Sequence, residues 1–249
     1  MAGLKTMRPD VENVSEKDKM AKTLIIIPCL NEEKNIGLVV KQAEKILPQT
    51  KILVVDDGSQ DQTVFLAKKA GAEVISHLYN LGYGTALQTG YQYALENNFD
   101  YVAQMDGDGQ HYPEFLPLLL KSVAKGDCDL ALGSRFLGKY QYKMQFLRRM
   151  GITIFSRIIY FLTRQTITDP TSGFQAMNQK VIKFYASDIY PSDFPDADVL
   201  LMALKKGFKI KETPVRMHSS DQSKLHSGLK PIYYAFKMFL SIFMTIIRK

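Results

Sequence analysis

Asp106 and Asp108 stand two residues apart just beyond an apolar run, within Asp106-Gly107-Asp108-Gly109-Gln110. Beyond a strand, side chains at i and i+2 can point the same way. Two carboxylates so placed suit a hard divalent cation, Mg2+ or Mn2+, which can also bind a diphosphate. Gln110, two residues further on, can add a neutral oxygen. A plain turn is the competing explanation, because Asp and Gly favour turns, and a DxD on its own is a weak signal. The cation is favoured because other polar clusters accompany the pair. They are Pro28-Cys29-Leu30-Asn31-Glu32-Glu33, Asp56-Asp57-Gly58-Ser59, Asn80-Leu81-Gly82-Tyr83-Gly84 and Gly133-Ser134-Arg135.

Each cluster has a chemical and a plainer explanation. Asp56-Asp57 can accept hydrogen bonds from ribose hydroxyls or a base N–H; equally, the segment can be a turn in which Ser59 caps the next helix. Asn31, Glu32 and Glu33 can cap a helix, and one can also reach a nucleobase. Arg135, immediately after a strand, can grip phosphate oxygens through its planar fork. His111 is expected to be structural, since aspartates and an amide already supply oxygens. Gly82 and Gly84 raise the question of a dinucleotide fingerprint, but Leu87 stands where its third glycine would be. The cluster also follows the third strand, whereas that fingerprint occupies the first βα turn. In the first turn Glu32 and Glu33 would repel a pyrophosphate, which argues against a nicotinamide enzyme.

The elements that must position these residues follow from the apolar pattern. Leu24–Pro28, Ile52–Val55, Glu73–Ser76, Tyr101–Met105 and Asp129–Gly133 are short, apolar and bounded by turn residues, so they are predicted strands. Ile36, Val39, Val40, Ala43, Ile46 and Leu47 recur at helical spacing before Pro48, as do Ala86, Leu87, Gly90, Tyr91, Ala94 and Leu95 before the fourth strand. Alternating β and α elements of this length imply an α/β fold with a mostly parallel sheet flanked by helices. Every polar cluster then falls at a C-terminal strand end, the edge where open α/β sheets bind ligands.

Composition narrows the partners. The formal net charge of +7 favours an anionic one, whether nucleic acid, phosphorylated ligand or acidic membrane; no nucleic-acid module is recognisable, so nucleic acid is not expected. Cys29 and Cys128 form no CxxC spacing, which argues against a disulfide framework or structural zinc. Residues 1–22 are polar with no apolar signal core and are expected to be a tail, a short helix packed beside the domain being the alternative.

The ordered motifs resemble the inverting family-2 glycosyltransferases of GT-A fold, in the branch of dolichyl-phosphate mannose synthases and bacterial polyprenyl-phosphate sugar synthases. The matches are Pro28-x-x-Asn31-Glu32, Asp56-Asp57-Gly58-Ser59-x-Asp61-x-Thr63, Asn80-x-Gly82-x-Gly84, Asp106-x-Asp108-x-Gln110-His111 and Gly133-Ser134-Arg135. Asp169-Pro170-Thr171-Ser172-Gly173-Phe174 and Pro214-Val215-Arg216 with Ser223-Lys224 extend them. The resemblance implies a nucleotide-sugar donor held by Pro28, Asn31, Glu32, Asp57, Gly82, Asp106 and Arg216. It implies a metal on Asp108 and Gln110 with Asp106 close by, and acceptor contacts from Ser134 and Arg135. It also marks two departures. Tyr83 stands where many relatives carry lysine, and Asp196-Ala197-Asp198 sits where relatives have an acidic residue opening a helix, Asp198 being the better candidate there.

The implied reaction displaces a nucleoside diphosphate from the anomeric carbon. A polyprenyl phosphate acceptor is already ionised near neutral pH and requires no strong base; a sugar hydroxyl would need one, and Asp198 is the natural choice. A saccharide acceptor in surface-polysaccharide synthesis is therefore the alternative. A nucleotidyltransferase is disfavoured, since residues 28–33 lack a glycine- and lysine-rich loop. Two segments favour lipid. Met144–Arg164 alternates Arg149, Arg157 and Arg164 with apolar residues, as a basic interfacial helix does, although core packing would explain its apolar residues too. Ile232–Ile247 is apolar apart from a narrow stripe and, at ~24 Å as a helix, too short to span a bilayer. The expected organisation is a tail (1–22), a glycosyltransferase domain (23–228) and a C-terminal membrane-associating helix (229–249). The expected location is the cytoplasmic face of the membrane, peripheral or monotopic, where a membrane-protein partner or homo-oligomer is possible.

Overall fold

The computed structural model describes residues 22–138, 142, 144, 146–192 and 195–218. The tail through residue 21, the Ser223-Lys224 motif and the expected C-terminal helix lie outside the described residues. Lys22, assigned to the tail, is held: its N–H donates to Asp100 Oδ2 at 2.8 Å.

The chain runs β1 (Thr23–Cys29), α1 (Ile36–Ile46), β2 (Lys51–Asp56), α2 (Thr63–Lys69), β3 (Glu73–Ser76), α3 (Tyr83–Glu96), β4 (Tyr101–Gln104) and α4 (Leu116–Ala124). It continues through β5 (Leu130–Ser134), α5 (Phe146–Thr163), β6 (Gln175–Asn178), α6 (Gln179–Tyr185), α7 (Ala197–Lys205) and β7 (Ile210–Pro214). The strands form one seven-stranded sheet in the order β3-β2-β1-β4-β6-β5-β7. Only β6 runs against its neighbours, β4 and β5; the other pairings are parallel. The C-terminal ends of β1 to β5 and β7 therefore share one edge, as the α/β reading requires.

Alternation along the strands divides the core between the two faces of the sheet. On β1, Leu24 and Ile26 join the apolar cluster beneath α3, α5, α6 and α7, while Ile25 and Ile27 join that beneath α1 and α4. Both sets are fully enclosed, so β1 reads as a continuous apolar run, the pattern of a strand covered on both faces. Helix α1 buries Ile36, Val39, Val40 and Ala43, an i, i+3, i+4, i+7 stripe. Helix α3 lies close on β1 at Gly90, where a Cβ would come within 2.6 Å of Ile26 Cγ2. That approach fixes the start of α3 over the ligand edge.

Candidate functional site

The loops after β1 and β2 are laced together by side-chain-to-backbone hydrogen bonds. Asn31 N donates to Ser59 Oγ at 2.8 Å, and Gln60 N returns a bond to Asn31 Oδ1 at 2.9 Å. Glu32 N donates to Thr63 Oγ1 at 2.8 Å, and Glu33 N to Asp61 Oδ2 at 3.2 Å. The expected capping roles therefore fall elsewhere. No side chain caps α1 at Asn35; Glu32 instead receives the Asn35 amide at 2.9 Å. Ser59 serves Asn31, and Asp61 Oδ1 accepts from Thr63 N at 2.9 Å at the start of α2. The lacing holds Asn31 in a left-handed conformation (φ 55°) at the rim, where its side chain is exposed. Pro28 is buried inside β1, so it shapes the site through its backbone.

Asp57 builds the next wall. Its Oδ1 accepts from Leu81 N at 2.9 Å and pairs with His77 Nδ1 at 2.8 Å, while Oδ2 accepts from Gly82 N at 2.9 Å. The carboxylate thus pins the β3–α3 loop against the β2 end, a position different from the expected open one facing a nucleoside. Gly82, at φ 104°, turns that loop into α3 through a conformation that disfavours other residues.

Asp106 and Asp108 follow β4 on the shared edge. Asp106 Oδ1 accepts from the Tyr83 hydroxyl at 2.7 Å, and Asp108 Oδ1 accepts from Gln110 N at 2.9 Å. Burial pushes the Asp106 carboxyl upward, and Asp108 is raised by burial and then by the charge of Asp106. Two neighbouring carboxylates, both raised by burial and Asp108 further by the charge of Asp106, offer only hard oxygen donors and fit a divalent cation. Gln110 turns its amide nitrogen to Asp108 Oδ2, so the expected amide-oxygen ligand would require that amide to rotate. Among the described residues no three His, Cys, Asp or Glu side chains gather as a metal cluster. His111 is structural as expected. It accepts the Asp106 N–H on Nδ1 at 3.0 Å, stacks on Phe174 with ring centroids 4.8 Å apart, and is held neutral by burial, which lowers its pKa to about 4.

The edge beyond β5 differs from expectation. Ser134 has no exposed surface; its hydroxyl meets Thr168 Oγ1 at 2.7 Å, so it cannot touch an acceptor in this structure. Arg135, 5% exposed, donates through Nε to Asp169 Oδ2 at 2.7 Å and through Nη2 to Asp169 Oδ1 at 2.6 Å, with Thr171 Oγ1 at 2.9 Å. Burial works against its charge, but Asp169 outweighs it and holds the guanidinium above its usual pKa. The fork expected to grip phosphate grips Asp169. Glu212 completes the network from β7, accepting from Thr168 N at 2.8 Å and Asp169 N at 2.9 Å. Asp169 and Thr171 belong to the Asp-Pro-Thr-Ser-Gly-Phe motif, which by itself discloses no role for them, and Glu212 carries no sequence signal at all.

Arg216 is an exposed cation on this edge. It lies over the Tyr112 ring at 5.0 Å, and the chain beside it is tied to the carboxylate loop by His218 N donating to Gln110 O at 2.9 Å. At the start of α7 the two aspartates separate. Asp198, 1% exposed, accepts from Asp196 N at 3.0 Å and Val199 N at 2.9 Å, and its charge is felt by buried Tyr185. Asp196 is partly exposed, and its charge reaches Tyr83, the partner of Asp106. Of the two, Asp196 is the more exposed, and Asp198 is enclosed at the start of α7.

Fold and site define an α/β protein that gathers acidic and phosphate-seeking groups at the carboxyl edge of its sheet, the architecture of a nucleotide-sugar transferase. Residues 24–185 match the Glycosyl transferase family 2 model, and the chain belongs to that family. It is 33% identical to polyprenol monophosphomannose synthase of Mycolicibacterium smegmatis, covering 78% of this chain and 76% of the relative. It is 29% identical to undecaprenyl-phosphate mannosyltransferase of Micrococcus luteus, covering 84% and 89%. Glucosyl-3-phosphoglycerate synthase of Mycobacterium tuberculosis, solved with Mn2+ and UDP-glucose, superposes with a TM-score of 0.68 at 18% identity, covering 92% of this chain and 80% of that one. That likeness shows the shared fold.

Proposed function

We propose that this chain transfers a hexose from a nucleotide-sugar to a polyprenyl phosphate at the cytoplasmic face of a membrane. The observation that carries the reading is the pairing of half-buried Asp106 and Asp108 with exposed Arg216 on one sheet edge, in a family-2 chain with relatives named for polyprenyl-phosphate mannose transfer. Both relatives carry mannose in their names, which supports GDP-mannose as the first donor to test, ahead of the UDP-hexose expected from the motifs.

In the transfer, an acceptor phosphate oxygen bonds to the anomeric carbon from the face opposite the diphosphate. The bond from that carbon to the diphosphate breaks, and its electron pair leaves with the nucleoside diphosphate. A divalent cation on Asp106 and Asp108 would neutralise the charge gathering on the leaving group. Arg216 supplies a second positive charge there. The loops after β1 and β2, cross-bonded through Asn31 and Ser59, form a rigid rim for the nucleoside. Arg135 acts on the acceptor side by fixing, through Asp169, the segment that crosses the edge.

Helix α5 supports the membrane location. Its inner face buries Ile152, Phe155 and Ile159, while Met150, Ile154, Phe161 and Leu162 are exposed among exposed Arg149, Arg157 and Arg164. Apolar side chains interleaved with arginine suit an anionic interface. No helix among the described residues is long and apolar enough to cross a membrane. The test incubates purified protein with labelled GDP-mannose or UDP-hexoses and polyprenyl phosphate, followed by solvent extraction. Label in the organic phase with polyprenyl phosphate alone is the expected result; label only on a saccharide acceptor would refute the reading.

A further inference from the structure

Beneath Asp106 lies a line of buried polar groups that the transfer reaction does not call upon. Tyr190 packs on Tyr91, their rings meeting edge to face at 5.4 Å between centroids. The Tyr91 hydroxyl donates to Gln104 Oε1. Gln104 Nε2 donates to the Tyr83 hydroxyl at 3.3 Å, and that hydroxyl donates to Asp106 Oδ1 at 2.7 Å. From Tyr91 onward every hydrogen along the line points toward the carboxylate. Each donor in such a chain is polarised by the one behind it, which strengthens the last bond.

The surroundings hold this line in place. A Cβ at Gly173 would lie 3.0 Å from the Tyr83 hydroxyl and 3.3 Å from both Asp106 oxygens, so only a glycine leaves the bond undisturbed. A Cβ at Gly84 would lie 2.0 Å from Pro191 O, so the first turn of α3, which carries Tyr83, rests on the segment bearing Tyr190. Gln104 is the last residue of β4, two before Asp106, and is almost fully buried. Tyr83 is the link between this interior and the edge: its hydroxyl meets both Gln104 and Asp106, while the residue as a whole is partly exposed.

We propose that Tyr83 is a positioning residue for Asp106, and that Tyr91 and Gln104 act through it. The hydroxyl engages Oδ1 and fixes the carboxylate plane; the nearest described donor to Oδ2 is His111 Nε2, at 3.6 Å. The tyrosine thus sets which oxygen of Asp106 is presented to a cation and its diphosphate. This rests on the metal-binding reading given above. It assigns to position 83 an uncharged hydrogen-bond donor acting on the protein's own carboxylate, in contrast to a cation acting on the donor phosphates.

The test measures Mn2+ binding by the loss of the free-ion EPR signal, with excess GDP or UDP, for wild type, Tyr83→Phe, Tyr91→Phe and the double variant. Tyr83→Phe removes one oxygen atom from a partly exposed ring; a thermal melt checks that the fold is kept. The expected result is about tenfold weaker Mn2+ binding for Tyr83→Phe, the size of one hydrogen bond to a charged group. Tyr91→Phe should weaken binding by a smaller factor, and in the Tyr83→Phe background it should add nothing, because the line is already cut. In turnover, kcat should fall more than the KM for the donor rises. Mn2+ affinity of folded Tyr83→Phe within twofold of wild type would overturn the inference while leaving the metal reading standing. Additive losses from the two variants would overturn the relay through Gln104. A wild-type protein that binds no Mn2+ with either nucleotide would overturn the metal reading and this inference together.

Discussion

Replacing Asp169 by Asn should destabilise the protein without opening a cavity. The carboxylate has no exposed surface and accepts from Arg135 N at 3.0 Å, Nε at 2.7 Å and Nη2 at 2.6 Å. Asparagine keeps the shape but removes the charge, and in either amide orientation it sets an NH2 group against an Arg135 donor. The guanidinium, 5% exposed, is then left buried without its counter-charge. Breaking a buried pair from one side costs about 3–5 kcal/mol, far more than the net worth of the intact pair, because the surviving charge stays desolvated. At about 2–4 °C per kcal/mol for a protein of this size, the melting temperature should fall by roughly 6–20 °C. Urea titration and thermal melts would measure it, with Asp127→Asn as the control. Asp127 pairs with Lys211 at 3.0 Å, both side chains about half exposed (45% and 51%), and such pairs are worth about 0–1 kcal/mol. If Asp169→Asn proves no more destabilising than Asp127→Asn, the guanidinium has another partner or escapes to water. Arg135 would then be available for phosphate after all.

Three further outcomes are expected. Asp108→Asn should abolish most transfer while remaining folded, and EDTA should stop the wild-type enzyme with recovery on adding Mg2+ or Mn2+; full activity in EDTA would remove the cation from the mechanism. Asp198→Asn should lower stability by about 1–3 kcal/mol, because a buried acceptor of backbone N–H groups is altered, whereas Asp196→Asn should leave the melting temperature nearly unchanged and alter donor kinetics; the reverse pattern would return Asp198 to the site. Exchanging exposed Ile154 and Phe161 of α5 for serine should reduce co-sedimentation with anionic vesicles and leave the fold intact, Phe161 being 73% exposed; unchanged sedimentation would count against α5 as the docking face.

The features legible in the sequence are those set by local pattern. Strands β1 to β5 fall within about two residues of their predicted bounds, because each is an apolar run ended by a polar or glycine-rich turn. Strands β6 (Gln-Ala-Met-Asn) and β7 (Ile-Lys-Glu-Thr-Pro) were not predicted; they are short, polar and defined by their neighbours more than by their own propensity. In the site, the carboxylate pair was legible from spacing, and its place on the ligand edge followed from the α/β alternation. What a buried polar side chain bonds to was not legible. The sequence has the same appearance whether Asp57 faces a nucleoside or the amides of Leu81 and Gly82, and whether Arg135 faces phosphate or Asp169. Asp196 and Asp198 illustrate the limit well: two residues apart at a helix start they project to nearly opposite sides, and only the packing of α7 decides which faces inward.

The reversed strand β6 has a further consequence. Strand β5 ends at the ligand edge with Ser134, and β6 begins at that same edge with Gln175, the two strands meeting where Gly133 N donates to Phe174 O at 2.8 Å. All of residues 135–174, including α5, is therefore an excursion that leaves and rejoins the sheet at neighbouring points. The exposed part of that excursion can vary in length without shifting the register of any strand, whereas its ends, at Arg135, Asp169, Gly173 and Phe174, are tied to the sheet and to the carboxylate loop. Variation in this part of the family is thus confined to an insertion-tolerant arc on one side of the edge, with the strand order unaltered whatever that arc becomes.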